Sequence, residues 1–564
     1  MPQRVVWALV ALIVIAARLC HLDIVWAEEG YPTAAAIQMF AGSTIYKDFW
    51  FDKPPLFPAV YLLWGARTGL ALRMAGALYV LLAAWATAKF ARELWGERES
   101  LLAAVLMAFA LTFWIPSAVM VLGPDMLMIA PHVLAVFWAW RGEGAKAGLA
   151  CGVALALNAK ALFLLPVCAA FLAPRIFMFA AAFAACCALW LGALASVGAL
   201  DGCWRQVWEW GLLYSANTFA TSEGFLRTAG WAGFHAAFLV GVGIWFYRER
   251  EWRFGLWFAV SLAAVCAGWR FFPRYYFQLL PVATLLGARG LLLIPRAGWR
   301  LAAMVLLLIP LARFGPRYVQ LAADQVAHRP HDWRDLAMSN DTVAAAKIMK
   351  ASPGDTLLVW GYRPDLFAVT GLRAGTPFLD SQPLTGVIAD RHLTSTSAAA
   401  PELAKRNRGL LLNTTPTWIA DGLGPYNAAL AIGQYQDLSE WLGHYDVVGR
   451  TEGFVIYHRS PASITEGLPP WPLLEKQSYS FNSQPLRKTG LTNLLASALF
   501  VNRMAFGSQS SLPGTCNAMA VSASHSAYGA VMLKSEQLGS PPLHARTQSS
   551  MWPGDRVSNC GGSL

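Results

Sequence analysis

The sequence predicts a polytopic α-helical membrane protein that carries a small external α/β domain. Three observations predict it. Of the 564 residues, 56% are hydrophobic and only 14% charged, a more apolar balance than a soluble domain shows. Apolar runs of bilayer-spanning length recur as far as residue 314. After Pro316 the composition becomes that of an ordinary soluble segment up to Arg459.

About eleven runs are long enough to span, each needing roughly 17–25 residues. They cover 5–22, 72–93, 99–116, 120–140, 145–161, 162–180, 181–199, 229–247, 254–269, 275–294 and 299–314. The first could pass for a signal peptide, but HLDIVWAEE offers no small-residue cleavage site, so it reads as an uncleaved anchor. Between 145 and 199 the apolar stretch is nearly continuous, punctuated by Pro174-Arg175. Basic residues mark the cytoplasmic side. Arg4, Lys89, Arg92, Arg98, Arg141, Lys146, Arg175, Arg248, Arg250, Arg253, Arg296 and Arg300 fall on one side. The other side receives the 23–71 loop, the Trp-rich 200–228 loop and everything after 314. Residues 56–71 are apolar but short and predict an interfacial helix.

The formal charge of +11 is spread through these gaps. No basic groove with stacking aromatics points to nucleic acid. The nine cysteines show neither metal spacing nor a disulfide framework. The division is 1–315 for the membrane part, 316–460 for the α/β domain and 461–564 for a Ser-, Pro- and Gly-rich tail expected to be mostly disordered. One isolated helix is expected there, at 491–505. Within the α/β domain a helix is expected near 336–350. Strands are expected at 355–360, at 409–414 (GLLLNT), in DVVGR and in GFVIYH, with 437–445 helical.

Chemistry concentrates in the first external loop. It opens on Glu28 and Glu29 and closes on Lys53-Pro54-Pro55, with Tyr46, Asp48 and Trp50 between. Two carboxylates at one end and a cation restrained by prolines at the other suit a reaction that takes a proton and releases an anion. A carboxylate pair beside a helix is more often a solvated cap, and a lysine there often snorkels. The ordered spacing weighs against both readings. It also resembles a known pattern, G-x-x-x-Y-x-D-x-W-x-x-K-P-P-L after an acidic pair. Gly42, Tyr46, Asp48, Trp50, Lys53, Pro54, Pro55 and Leu56 match it. The pattern is that of GT-C superfamily membrane glycosyltransferases, in the dolichyl-phosphate-mannose–protein mannosyltransferase-like and aminoarabinose transferase-like branch. The family usually has Asp-Glu where this chain has Glu28-Glu29, which leaves open which carboxylate is catalytic. A second resemblance is Arg270-Phe-Phe-Pro-Arg274-Tyr275, followed by Leu279-Leu280-Pro281, at the external start of a late helix.

The resemblance implies a sugar transferred from a polyprenyl-phosphate carrier to an acceptor hydroxyl of a lipid, glycan or protein. The enzyme would be an inverting hexosyl or pentosyl transferase of a bacterial-type inner membrane, working at the external, periplasmic face. It makes Glu28 the general base with Glu29 as helper, and Lys53 a phosphate ligand. Asp48 would orient Lys53 or a sugar hydroxyl, with a purely structural pairing as the equal alternative. Asp125, near the external end of an apolar run, is a candidate because a membrane-buried charge is costly. Lys160 resembles the lysine of a family T-K-G element, although Asn158-Ala159-Lys160-Ala161 lacks its Thr and Gly. Arg274 suits bidentate phosphate binding, with Arg270 and Tyr275 beside it. Expected partners are the lipid-linked donor, membrane lipid and an unidentified acceptor. No cofactor is required, no zinc motif occurs, and a divalent cation is compatible with the acidic site. The rival reading is a transporter or flippase relaying charge through Asp125 and Lys160. A third, a membrane anchor for the α/β domain, leaves the motif set unexplained.

Overall fold

The computed structural model describes residues 2–460 apart from Pro174, 217–220, His328 and 330–332. The expected tail and its helix at 491–505 lie outside the described residues. Helices dominate as far as Ala327, and three of them are long and apolar enough to cross a membrane: Leu70–Trp95, Ile176–Ser196 and Ala297–Ala327. Thr221–Phe234 and Ala236–Arg248 pass the same test together but meet at an 86° bend. Other apolar runs fold as shorter helices, among them Gln3–Leu19, Gly144–Leu157, Trp252–Cys266 and Leu280–Leu292.

Small side chains set the closest packing. Gly144–Leu157 lies against Ile176–Ser196 along Gly144, Gly148 and Gly152. A Cβ added at Gly148 would sit 2.3 Å from the Phe179 carbonyl oxygen, and one at Gly152 would sit 2.6 Å from Cys186 Cβ. Rows of small residues at this spacing let membrane helices approach closely. The rest of Ile176–Ser196 faces outward, with Phe177 and Leu189 more than three-quarters exposed, as expected of a surface that meets lipid.

The α/β segment contains a five-stranded sheet. Its strands are β1 (Thr356–Trp360), β2 (Arg373–Ala374), β3 (Trp418–Asp421), β4 (Tyr445–Arg450) and β5 (Val455–Arg459), in the order β2-β1-β3-β5-β4. β1 pairs in parallel with β2 and β3, while β5 runs antiparallel to β3 and β4. Side chains alternate faces along a strand, so β1 separates two cores. Leu357 and Val359 belong to the large core that continues into the helices. Leu358 and Trp360 face a second core with Phe378, Leu384, Leu411, Ile419 and Trp441. The central strands β1 and β3 are thus buried on both sides, while β4 at the edge is largely exposed.

Several expectations need correction. GLLLNT at 409–414 is not a strand: Pro401–Leu411 is a helix. Its buried residues, Ala404, Asn407 and Leu411, fall at helical spacing. The strand in that position is β3. The break between two expected spans falls at 173–175, between Leu164–Leu172 and Ile176–Ser196, rather than at 180–181. The 200–228 loop is largely helical, with Leu200–Cys203, a π-helical turn Trp204–Glu209, Trp210–Ala216 and the start of Thr221–Phe234. The helix expected over 56–71 is short, Leu56–Tyr61 continued by a 3-10 turn Leu62–Trp64.

The α/β segment clamps the first loop. Trp50 N donates to the Pro377 carbonyl at 2.7 Å. Ala374 N donates to Gln38 Oε1 at 2.8 Å and Val25 N to Ser339 Oγ at 3.1 Å. At Gly30, on the acidic-pair helix, an added Cβ would lie 2.5 Å from the backbone nitrogen of Asp365. Only glycine allows that contact.

Candidate active site

Glu28 and Glu29 occupy the first turn of helix Ala27–Phe40, where carboxylates oppose the positive end of the helix dipole. Neighbours on a helix point about 100° apart, and these two meet different surroundings. Glu29 is fully buried. Arg73 grips it through both guanidinium nitrogens, at 2.9 and 2.6 Å. Arg73 also donates to the carbonyls of His21, Met120 and Ile24, and Leu122 N donates to Glu29 Oε1 at 3.3 Å. Arg18 braces the same place by donating to the carbonyls of Val119 and Met120. Glu28 instead keeps 26% of its side chain exposed and pairs with Arg274 at 2.8 Å, whose side chain is equally exposed.

The Tyr-x-Asp-x-Trp stretch builds a closed loop. Tyr46, at φ 67°, donates its backbone N–H to the Phe49 carbonyl at 3.0 Å and its hydroxyl to the Lys53 carbonyl at 2.5 Å. Asp48 accepts from Thr44 N at 2.6 Å. It is therefore a turn residue and does not hold Lys53, contrary to the first alternative read for it. Gln206 pins the loop from outside, donating to the Tyr46 carbonyl and accepting from Phe51 N, both at 2.8 Å.

Lys53 is held by its neighbour Asp52 at 2.8 Å, with 39% of the lysine side chain exposed. Asp380, from the α/β segment, is buried close to this pair. Burial first, and then the Asp52 charge, push its carboxyl up to about 7 against the pull of Gln382 N–H and Lys53. Tyr362 links this group to Glu28. Its phenol is raised by burial and then by Glu28, Asp380 and Asp52.

A third group lies at the far side of Glu28. Asn158 Nδ2 donates to Asp125 Oδ1 at 2.9 Å, and Asn158 Oδ1 accepts from Lys160 N at 3.0 Å. One side chain thereby fixes both the carboxylate and the turn that presents the lysine. Lys160 Nζ sits over the Tyr275 ring, 2.8 Å from its centroid, an arrangement that stabilises a cation. The ammonium makes no hydrogen bond among the described residues. Asp125 acts as a nearby charge on Lys160, Arg274 and Tyr275. Arg270, almost fully buried, forms an ion pair with Asp390 and lies 4.1 Å from the Tyr214 ring centroid.

Glu28, Asp125, Lys160, Arg274 and Tyr275 therefore converge from four separate stretches of chain. Lys53 stands in the adjoining Asp52 and Asp380 group, so it and Arg274 are held by different carboxylates. Sequence reading missed Asp52, Arg73, Asn158, Asp380 and Asp390. Arg73 had a usable signal, a charge inside the apolar run LALRMAGALY. Asp380 and Asp390 had none, because only the fold brings them here. Among the described residues no group of three or more His, Cys, Asp or Glu side chains can hold a metal ion.

The helical bundle and the sheet set against it together frame this cluster of charged side chains. Among solved structures the chain is similar to ArnT from Cupriavidus metallidurans bound to undecaprenyl phosphate. The match has 16% identity and a TM-score of 0.54, and covers 80% of this chain and 97% of that one. The apo state of the same protein matches over the same shares at 16% identity and a TM-score of 0.53. At this identity the likeness shows the fold. The archaeal oligosaccharyltransferase AglB from Archaeoglobus fulgidus, in complex with an inhibitory peptide and a dolichol-phosphate, matches more loosely. Its identity is 12% and its TM-score 0.45, over 82% of this chain and 74% of that one. No family model matches the sequence, and no curated protein does.

Proposed function

We propose that the chain is a glycosyltransferase that moves a sugar from a polyprenyl-phosphate carrier to an acceptor hydroxyl at the external face of a bacterial-type inner membrane. The observation that carries the reading is the Glu28–Arg274 ion pair at 2.8 Å, with Lys160 beside it. It joins the two motif segments that sequence alone relates to this chemistry. ArnT, the fold neighbour, was crystallised with undecaprenyl phosphate, which supports a carrier of that class. The membrane part is taken as residues 1–315 with about eleven spans and the α/β domain as 316–460 on the external side. The distribution of Lys and Arg supports that orientation.

The chemistry follows from the pairing. A guanidinium that meets a phosphate prefers its bidentate oxygens, so donor binding draws Arg274 from Glu28. Glu28 is then left as an ionised base on the acceptor side. The acceptor oxygen attacks the anomeric carbon as the carbon–oxygen bond to phosphate breaks. The acceptor proton passes to Glu28, and the electron pair leaves on the phosphate. Lys160 and Arg274 stabilise that growing charge, which is where preorganised cations contribute most, and Lys53 lies on the adjoining side. One displacement inverts the anomeric centre. Glu29, Asp125 and Asn158 position the reacting groups, and Tyr275 carries Lys160.

The test is incubation of purified full-length protein with radiolabelled undecaprenyl-phosphate sugars, with release of free undecaprenyl phosphate as the readout. Translocation of intact lipid with no cleavage of the sugar–phosphate bond would replace this reading by the transporter.

A further inference from the structure

Arg270 is restrained more heavily than its neighbours. Both flanking residues, Trp269 and Phe271, have φ of 49°, a region that non-glycine residues occupy only where the surroundings impose it and which gathers at functional sites. The guanidinium lies 4.1 Å from the Tyr214 ring centroid and donates to the Tyr214 carbonyl at 3.3 Å. Arg227 donates to the Arg270 carbonyl at 3.1 Å. A further restraint comes from the α/β segment, where the Asp390 carboxylate pairs with Arg270. Their side chains are 8% and 1% exposed respectively.

The backbone around Asp390 is closed. Ala389 N donates to Gln382 Oε1 at 2.8 Å and Arg391 N to the Ile388 carbonyl at 2.9 Å. The carboxylate can therefore leave Arg270 by rotating its own side chain, with the loop in place. The pair also adjoins the site, since Tyr214 feels the charges of Arg270, Asp390 and Arg274 together. A carboxylate and a phosphate offer a guanidinium the same two-oxygen face.

We propose that Asp390 is the resting counter-ion of Arg270 and competes with the substrate phosphate for it, so that Asp390 sets how tightly the phosphate is held. This rests on the reading of the site as one for a polyprenyl phosphate. The donor is a phosphodiester with one negative charge. The carrier phosphate left after transfer is a monoester with roughly 1.5–2 charges near neutral pH. An internal competitor loosens that more highly charged product and lets it go.

The test measures binding of undecaprenyl phosphate to the full chain in detergent, with single- and multiple-turnover rates alongside. Asp390→Asn, close in shape but uncharged, is expected to bind on the order of tenfold tighter, a modest coupling between two ligands of one group. Its multiple-turnover rate should fall more than its single-turnover rate. Asp390→Glu should return affinity towards wild type. In an Arg270→Gln background, Asp390→Asn should bring no gain. Asp390→Ser removes the charge with a smaller side chain and makes the comparison independently. Equal or weaker binding by both neutral variants would overturn the counter-ion and make Asp390 a prop for Arg270. A gain that persists without Arg270 would overturn it too. A wild-type chain that binds no undecaprenyl phosphate would instead remove the reading of the site, and this inference with it.

Discussion

Glu29→Gln and Glu28→Gln differ by one position and should fail in opposite ways. At Glu29 the substitution breaks a fully buried pair in which Arg73 makes two short bonds to one carboxylate. Removing one partner of such a pair leaves a buried charge uncompensated, at a cost of about 3–5 kcal/mol. Arg73 keeps three carbonyl acceptors, and glutamine keeps one oxygen for it, so the low end applies, about 3 kcal/mol. The Glu28 pair is a quarter exposed on both sides. Solvent screens it, and its loss should cost about 0–1 kcal/mol. Rates reverse the order. Glu28→Gln should bind donor yet transfer the sugar roughly 10²–10⁴ times more slowly, the span expected for a lost general base. Glu29→Gln should lose stability first and activity through misplacement. The assays are thermal unfolding in detergent and single-turnover transfer on the same preparations. A stable Glu29→Gln that cannot transfer, beside a Glu28→Gln that transfers normally, would move the base to Glu29 and refute the assignment.

Lys160→Met should weaken binding of undecaprenyl phosphate and slow single-turnover transfer. Tyr275→Leu should repeat part of that loss by removing the ring under the ammonium; unchanged affinity in both would take Lys160 out of the phosphate site. Asp380 makes stability depend on pH. Its folded value near 7 exceeds that of an unfolded carboxyl, about 3.9, so the folded chain holds more protons between the two and stability falls as pH rises from about 4 to 7. Asp380→Asn should flatten that slope and stabilise the chain at pH 8, which melting curves across pH would check. Gly30→Ala should destabilise by about 1–3 kcal/mol, because the new methyl meets Asp365 backbone that has little room to move. A melting temperature equal to wild type would show that the helices can part there.

The sequence makes some of this architecture plain and hides the rest for physical reasons. Apolar runs announce helices because lipid-facing and core-facing positions are both apolar, as in Ile176–Ser196. The same uniformity blurs their ends: Pro174-Arg175 punctuates the 145–199 stretch, yet the apolar pattern alone carries a span on to residue 180. GLLL invites a strand, yet in Pro401–Leu411 only Leu411 of that run is among the helix's buried residues, and the neighbouring Leu412 is exposed. β3 is easily passed over because it is four residues long and ends on Asp421. That carboxylate is spent on the backbone N–H groups of Leu423, Gly424 and Ile432. Within the site, Glu28, Lys160 and Arg274 could be named from motif spacing. Their roles relative to Glu29 could not, since adjacent glutamates differ only in what the fold places opposite them. Asp48 shows the converse: of the readings open to it, the structural pairing with Thr44 N is the one the fold makes.

The clamped first loop also bears on how the chain assembles. Gln206, which pins Phe51, emerges 155 residues after it. Ala374, which bonds Gln38, emerges 336 residues after its partner. A ribosome making this chain produces the acidic helix and the Lys53 loop long before either support exists. The early loop therefore waits as an unfinished surface, and its packing is completed only when β2 and its flanking segment have been made and docked. A chain cut short before that point would carry every residue of the two motifs and still lack an assembled site.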